Sequence, residues 1–238
     1  MVTFPPRTPI NQDHFWPASY RYNRAGSNTA AKPRLMRYKK YMPTAVLPLA
    51  AEGAPRRKRF TRAEVDRMIE SGFFTGQRYE LIDGDLIDKM GQNPPHATTI
   101  RRVHGWLVTI FAAELVQMQL PIDVAADDRE LNLPEPDLSV LAGTNPDYTS
   151  RHPRGDETVL VIEVADTSIR HDTAKKRDLY ARASVPEYWV FNIADRELIV
   201  HRALRHRRYQ QVTTFSEEAV ISVEARPNES IQVARLLP

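Results

Sequence analysis

Residues 159–164, Val-Leu-Val-Ile-Glu-Val, constrain the fold most. Five of the six are apolar and four of those are β-branched, the side chains that fit a pleated surface. An apolar run this uniform marks a strand covered on both faces, at the centre of its sheet. Glu163 interrupts it. Burying a carboxylate there is costly unless another group replaces its lost hydration.

The chain has 238 residues, enough for one large domain or two small ones. It has no cysteine, which removes disulfides and thiolate metal sites and fits a reducing cytoplasm. No apolar run is long enough to cross a membrane, and no compact signal-peptide core opens the chain. The net charge of +3 conceals a division. Residues 1–59 carry twelve Lys and Arg against two acids, and the remainder carries 21 against 28. Eight of the 18 prolines also fall in the first segment. Such a segment cannot easily build a core. Residues 1 to about 57 are therefore expected to be a basic, Pro-rich, disordered tail, and residues 58–238 one folded domain. The Arg-rich start also has the composition of an organelle transit peptide, without further support for import.

Local signals divide the domain. Thr61-Arg62-Ala63-Glu64 is a capping box that predicts a short helix to about Glu70, ended by Gly72. Asp83-Gly84 predicts a hairpin turn between strands over 78–83 and 85–90. Apolar residues at Ile100, Val103, Leu107, Ile110, Phe111 and Leu115 predict a helix from His96 to about Gln117. Strands are expected near Ile122 and over Leu138–Leu141, with Pro136 at a strand start. After the 159–164 strand, Asp172 is placed to cap a helix running to about Ala183, before Pro186. Strands over 187–193, 197–201, 208–215 and 220–223 complete the chain, with a turn at Asp195-Arg196. The reading is α/β, with helices packed on a central mixed sheet.

Three acids sit where acids are awkward: Glu80 at a hairpin strand, Asp137 after proline at a strand start, and Glu163. Brought together they repel, and a divalent cation would remove that repulsion. Mg²⁺ takes hard oxygen ligands, commonly one or two carboxylates plus waters and phosphate. Asp172, Lys176 and Tyr180 are four apart and share a helix face, while Lys175 points elsewhere. A lysine aimed at the acids would orient or activate water and stabilise developing negative charge. Structural alternatives stand beside each reading. Asp172 and Lys176 form an ordinary i,i+4 pair, Glu80 can pair with Arg78, and Asp137 suits a turn. His96 and His171 suit solvated helix starts. Tyr188 and Trp189 suit core packing.

The ordered set Tyr79-Glu80-Leu81-Ile82-Asp83-Gly84, Pro136-Asp137, Val161-Ile162-Glu163-Val164, Asp172 to Lys176, Tyr180-Ala181 and Val185-Pro186-Glu187-Tyr188-Trp189 resembles the Uma family of restriction endonucleases, where "restriction" is an inherited label. The resemblance spans roughly residue 60 to the C-terminus and implies a restriction-endonuclease-like core of the PD-(D/E)XK nuclease superfamily. That superfamily normally carries a lysine two residues after the second acid. Here that place holds Ala165, and the Uma pattern carries its lysine on the following helix, at Lys176. The resemblance implies Asp137 and Glu163 as metal ligands, Glu80 as an additional acid near the metal, and Lys176 as the catalytic lysine.

The expected function is Mg²⁺- or Mn²⁺-dependent hydrolysis of DNA, with DNA as partner, no membrane, and a homodimer by analogy only. The alternative is a catalytically inactive nucleic-acid-binding or regulatory protein that keeps the fold. The complete set of two acids and a lysine argues against it, since pure binding favours a basic domain over an acidic one. A third reading makes the acids ordinary salt-bridge partners.

Overall fold

A computed structural model of the protein describes residues 57–89, 93–165 and 169–238, with the side chains of residues 169–173 excepted. The expected tail lies outside the described residues, save its last residue. Thr61 caps α1 (Arg62–Glu70), and its hydroxyl and the Glu64 carboxylate satisfy each other's backbone amides. Strands β1 (Tyr79–Ile82) and β2 (Asp85–Asp88) pair as an antiparallel hairpin through Asp83-Gly84. Both turn residues have positive φ, 51° and 77°, as a type I′ turn requires. A Cβ on Gly84 would also lie 2.7 Å from the Arg59 Cβ, so the position excludes other residues twice over.

The main sheet has six strands in the order β3 (Val116–Met118), β4 (Leu138–Leu141), β5 (Thr158–Ala165), β6 (Tyr188–Asn192), β7 (Glu197–Arg205) and β8 (Arg208–Ser216). Only β5 and β6 run parallel. Their connection is α3 (Ile169–Arg182), the helical crossover a parallel pair needs. The central strands are buried on both faces. On one, Leu138, Leu160, Ile162, Trp189 and Phe191 pack with α2 (Pro94–Ile110) and the C-terminal residues Leu236 and Leu237. On the other, Val161, Tyr188 and Val190 pack with Leu179, Tyr180 and Ala183 of α3 and with Ile82 of the hairpin. Each fully buried side chain of this size contributes roughly 1.5–3 kcal/mol. A second small hairpin, β9 (Val220–Ser222) with β10 (Ser230–Gln232), closes the first face.

Three local expectations are corrected. The helix expected to reach Gln117 ends at Ile110, where Phe111 turns extended (φ −128°, ψ 155°). Val116–Met118 instead pairs with β4 at the sheet edge, so tertiary pairing overrides an apolar spacing that also suits a helix. The strand near Ile122 is a single bridge between Asp123 and Arg154, although Ile122 and Val124 are buried. Helix α3 begins at Ile169, which puts Asp172 inside the helix rather than at its cap.

Candidate active site

The site forms where the second sheet face meets the hairpin and α3. In β4 and β5, Leu138 pairs with Ile162 and Ser139 with Val161. Continuing that register one step sets Asp137 opposite Glu163. Strand alternation then points both carboxylates to the α3 face, alongside Ser139 and Val161. Like charges directly opposite on neighbouring strands destabilise a sheet, so the surroundings must answer this pair.

They do so with donors and cations. Asp137 Oδ2 accepts the Val164 amide at 2.8 Å and lies 3.3 Å from His96 Nε2. Asp137 Oδ1 is buried with no hydrogen bond, and the nearest ion-pair partner is Lys89 Nζ at 3.5 Å. Glu163 Oε1 accepts from Tyr180 Oη at 2.7 Å and from Lys176 Nζ at 3.0 Å. Glu163 Oε2 lies 3.9 Å from Lys89 Nζ. Glu80 joins from β1, because Leu81 and Leu133 exchange backbone hydrogen bonds of 3.2 and 2.8 Å. Its Oε1 pairs with Lys176 Nζ at 2.7 Å, and its Oε2 accepts the Glu135 amide at 3.2 Å. All three carboxylates and Lys176 are buried.

The expected cluster of Glu80, Asp137, Glu163 and Lys176 is therefore assembled in space. Lys176 and Tyr180, one turn apart on α3, both reach the same oxygen of Glu163, as their spacing predicts. Lys175 instead lies 3.9 Å from Asp83 Oδ2, away from the acids. Glu80 does not pair with Arg78, which bonds Glu135 and Gln119. Tyr188 and Trp189 are core residues. Among the described residues, no group of three or more His, Cys, Asp or Glu side chains is disposed as a metal cage. The side chains of His171 and Asp172 lie outside the described residues.

The reading of the sequence missed two neighbours. His96 is no solvated helix start: its Nε2 faces Asp137 and its Nδ1 is buried without a hydrogen-bond partner. A signal existed, since Asn93 caps α2 through the His96 amide and Pro94-Pro95 fix the first turn. That geometry places His96 in the first turn of α2. Lys89, just past β2, carried no such signal.

Electrostatics follow from this geometry. Burial pushes the Asp137 carboxyl up, but the His96 contact, the Lys89 charge and the Val164 amide hold it down at about 2. Burial dominates at Glu163 and raises it, although Lys176 and Lys89 pull the other way. Burial alone would lower Lys176, yet Glu163 and Glu80 outweigh it and keep the ammonium charged. Burial and Glu163 raise the Tyr180 phenol well above its ordinary value, so it stays a donor.

Residues 62–234 match the Uma2 family, described as "Putative restriction endonuclease". The chain belongs to the Uma2 family. The resemblance to the Uma family read from the motifs is thereby shown, and the α/β architecture with a central mixed sheet is the one expected. Among solved structures, this Uma2 chain is similar to a "putative nuclease belonging to DUF820" from Anabaena variabilis ATCC 29413. The TM-score is 0.56 at 16% identity, covering 74% of this chain and 97% of that one. No curated protein matches the Uma2 chain.

Proposed function

We propose that this Uma2 chain is a metal-dependent endonuclease that hydrolyses DNA phosphodiester bonds with Mg²⁺ or Mn²⁺, in the manner of the PD-(D/E)XK nucleases. The observation that carries the reading is Asp137 Oδ1, a buried carboxylate oxygen without a hydrogen bond, beside a second buried carboxylate. Buried oxygens are normally satisfied, and a hard divalent ion is the ligand that two carboxylates and water suit best. Asp137 and Glu163 would hold it. When bound, it polarises a phosphate oxygen and lowers the pKa of water.

The chain's own groups do the rest. The Val164 amide and His96 hold Asp137 through Oδ2, which leaves Oδ1 without a hydrogen bond. Tyr180 and Lys176 fix Glu163 through Oε1, leaving Oε2 towards Asp137's side. Lys176, held charged between Glu80 and Glu163, is a donor for negative charge that develops on the phosphate. Glu80 is the additional acid of the set and spends its oxygens on Lys176 and the Glu135 amide.

The second reading, an inactive nucleic-acid-binding protein, draws on one observation. Lys89 and Lys176 already interleave the three acids, so the fold tolerates the cluster without a metal. An assay on supercoiled, linear and single-stranded DNA with Mg²⁺, Mn²⁺ or EDTA decides. Metal-dependent nicking by the parent, absent from Asp137→Asn and Glu163→Gln, is expected. DNA retention without cutting in any metal would leave the binding protein standing instead.

A further inference from the structure

Two lysines serve the three carboxylates, and they do so differently. Lys176 is enclosed between Glu80 and Glu163 Oε1, at 2.7 and 3.0 Å. Lys89 stands on the other side, at looser distances of 3.5 Å from Asp137 Oδ1 and 3.9 Å from Glu163 Oε2. Those are the two oxygens to which the proposed ion would bind. Neither distance is a hydrogen bond, so the ammonium neutralises the pair without being locked to it. Its side chain is 12% exposed, against 7% for Lys176. Lysine also carries its charge on a flexible four-carbon stem.

We infer that Lys89 is a built-in counter-cation of the metal-free site, bridging Asp137 and Glu163 and competing with a divalent ion for the same two oxygens. The inference rests on the metal reading above. An ammonium and a divalent cation cannot both lie against one pair of oxygens at the protein's effective dielectric without strong repulsion. The ion therefore binds only the fraction of molecules in which Lys89 has swung away. The observed affinity is reduced by that fraction. The same residue protects the metal-free fold from the repulsion that opposed carboxylates would otherwise suffer. Lys176 has no such role, because its partners include Glu80 and the other oxygen of Glu163.

The test is Mn²⁺ binding by the full chain, read from the free-ion electron paramagnetic resonance signal, with thermal melts in EDTA and in excess Mn²⁺. The proteins compared are parent, Lys89→Met, Lys89→Gln, Lys89→Arg and Asp137→Asn. Lys89→Met should bind Mn²⁺ about tenfold tighter than parent. It should melt lower in EDTA and gain more from Mn²⁺ than the parent gains. Lys89→Gln carries the same expectation should the Met variant fold poorly, and Lys89→Arg should bind no tighter than parent. Parent affinity retained or weakened in both neutral variants, while Asp137→Asn loses binding, overturns the competition and leaves the metal reading intact. No binding by any of the five proteins overturns both.

Discussion

At the scale of single residues, two buried carboxylates differ in how fully their oxygens are satisfied. Glu187 is fully buried, and its oxygens accept from Trp189 Nε1 at 2.7 Å, Arg202 Nε at 2.7 Å and the Glu224 amide at 2.8 Å. Asp137 is as deeply buried and leaves one oxygen without a hydrogen bond. Glu187→Ala should therefore cost about 3–5 kcal/mol, because it takes from Arg202 its nearest anion and leaves the indole N–H and the Glu224 amide without their acceptor. Asp137→Asn keeps an acceptor for the Val164 amide and relieves carboxylate repulsion. It should cost far less in urea unfolding with EDTA, yet abolish cleavage. Equal losses of stability would make Asp137 another structural acid.

Lys176 needs a finer test, since it is structural and, on the proposed reading, catalytic. Removing its charge strands Glu80 and Glu163, so Lys176→Gln should destabilise by an amount near that of a broken buried pair. Adding Glu80→Gln removes one stranded charge and should restore part of the stability. Cleavage should stay absent in the double variant. Recovered cleavage would assign Lys176 a purely structural role. Lys175→Ala, which loses only the distant, exposed contact with Asp83, should leave both properties near the parent's.

At the scale of elements, the hairpin β1–β2 is the part that completes the site. It carries Glu80 and ends at Lys89, and it is held to the segment before β4 through Leu81 and Leu133. Gly84→Val should disturb it in two ways, through the left-handed φ of 77° and the 2.7 Å approach to Arg59. A stability loss of about 1–3 kcal/mol is expected, with protection of the hairpin amides falling before that of β5 and β6 in hydrogen exchange. Uniform loss across the sheet would show that the hairpin is no separate unit.

Much of this was legible because local chemistry and tertiary structure agree. The capping box, the Asp-Gly turn and the apolar β5 run each specify one conformation, and Lys176 with Tyr180 follows from helix geometry alone. The failures lie where two states share one pattern. Val116 suits the end of a helix and the edge of a sheet equally, and only its pairing with β4 decides. The Asn93 cap and Pro94-Pro95 placed His96 in its helix turn, but its partner, like those of Lys89, was illegible for a different reason: both roles depend on which oxygens of Asp137 and Glu163 face them, and sequence spacing says nothing about contacts 40 to 75 residues apart.

At the scale of the whole molecule, acid stability should carry the mark of His201 in β7. It is buried against Tyr188, whose backbone carbonyl lies 3.3 Å from its Nδ1. Burial lowers the imidazole to about 4, from an ordinary 6.5, and the Tyr188 carbonyl only partly opposes this. The unfolded chain therefore takes up a proton at this residue before the folded one does. Bound protons are more numerous in the unfolded state between about pH 6.5 and 4, so stability rises with pH across that window. The contribution of neutral His201 is thus complete above pH 6.5 and is lost as pH falls through the window. Glu187 acts with the opposite sign, since burial raises its carboxyl and favours the folded state as acid protonates it. The two effects partly cancel in the parent, and a variant separates them. His201→Gln keeps a polar side chain beside the Tyr188 carbonyl and removes the titration. Urea midpoints measured from pH 7 to pH 4.5 should fall less steeply in the variant than in the parent, even where the variant starts lower. Parallel lines would show that acid destabilisation arises elsewhere, with the site carboxylates the next groups to test.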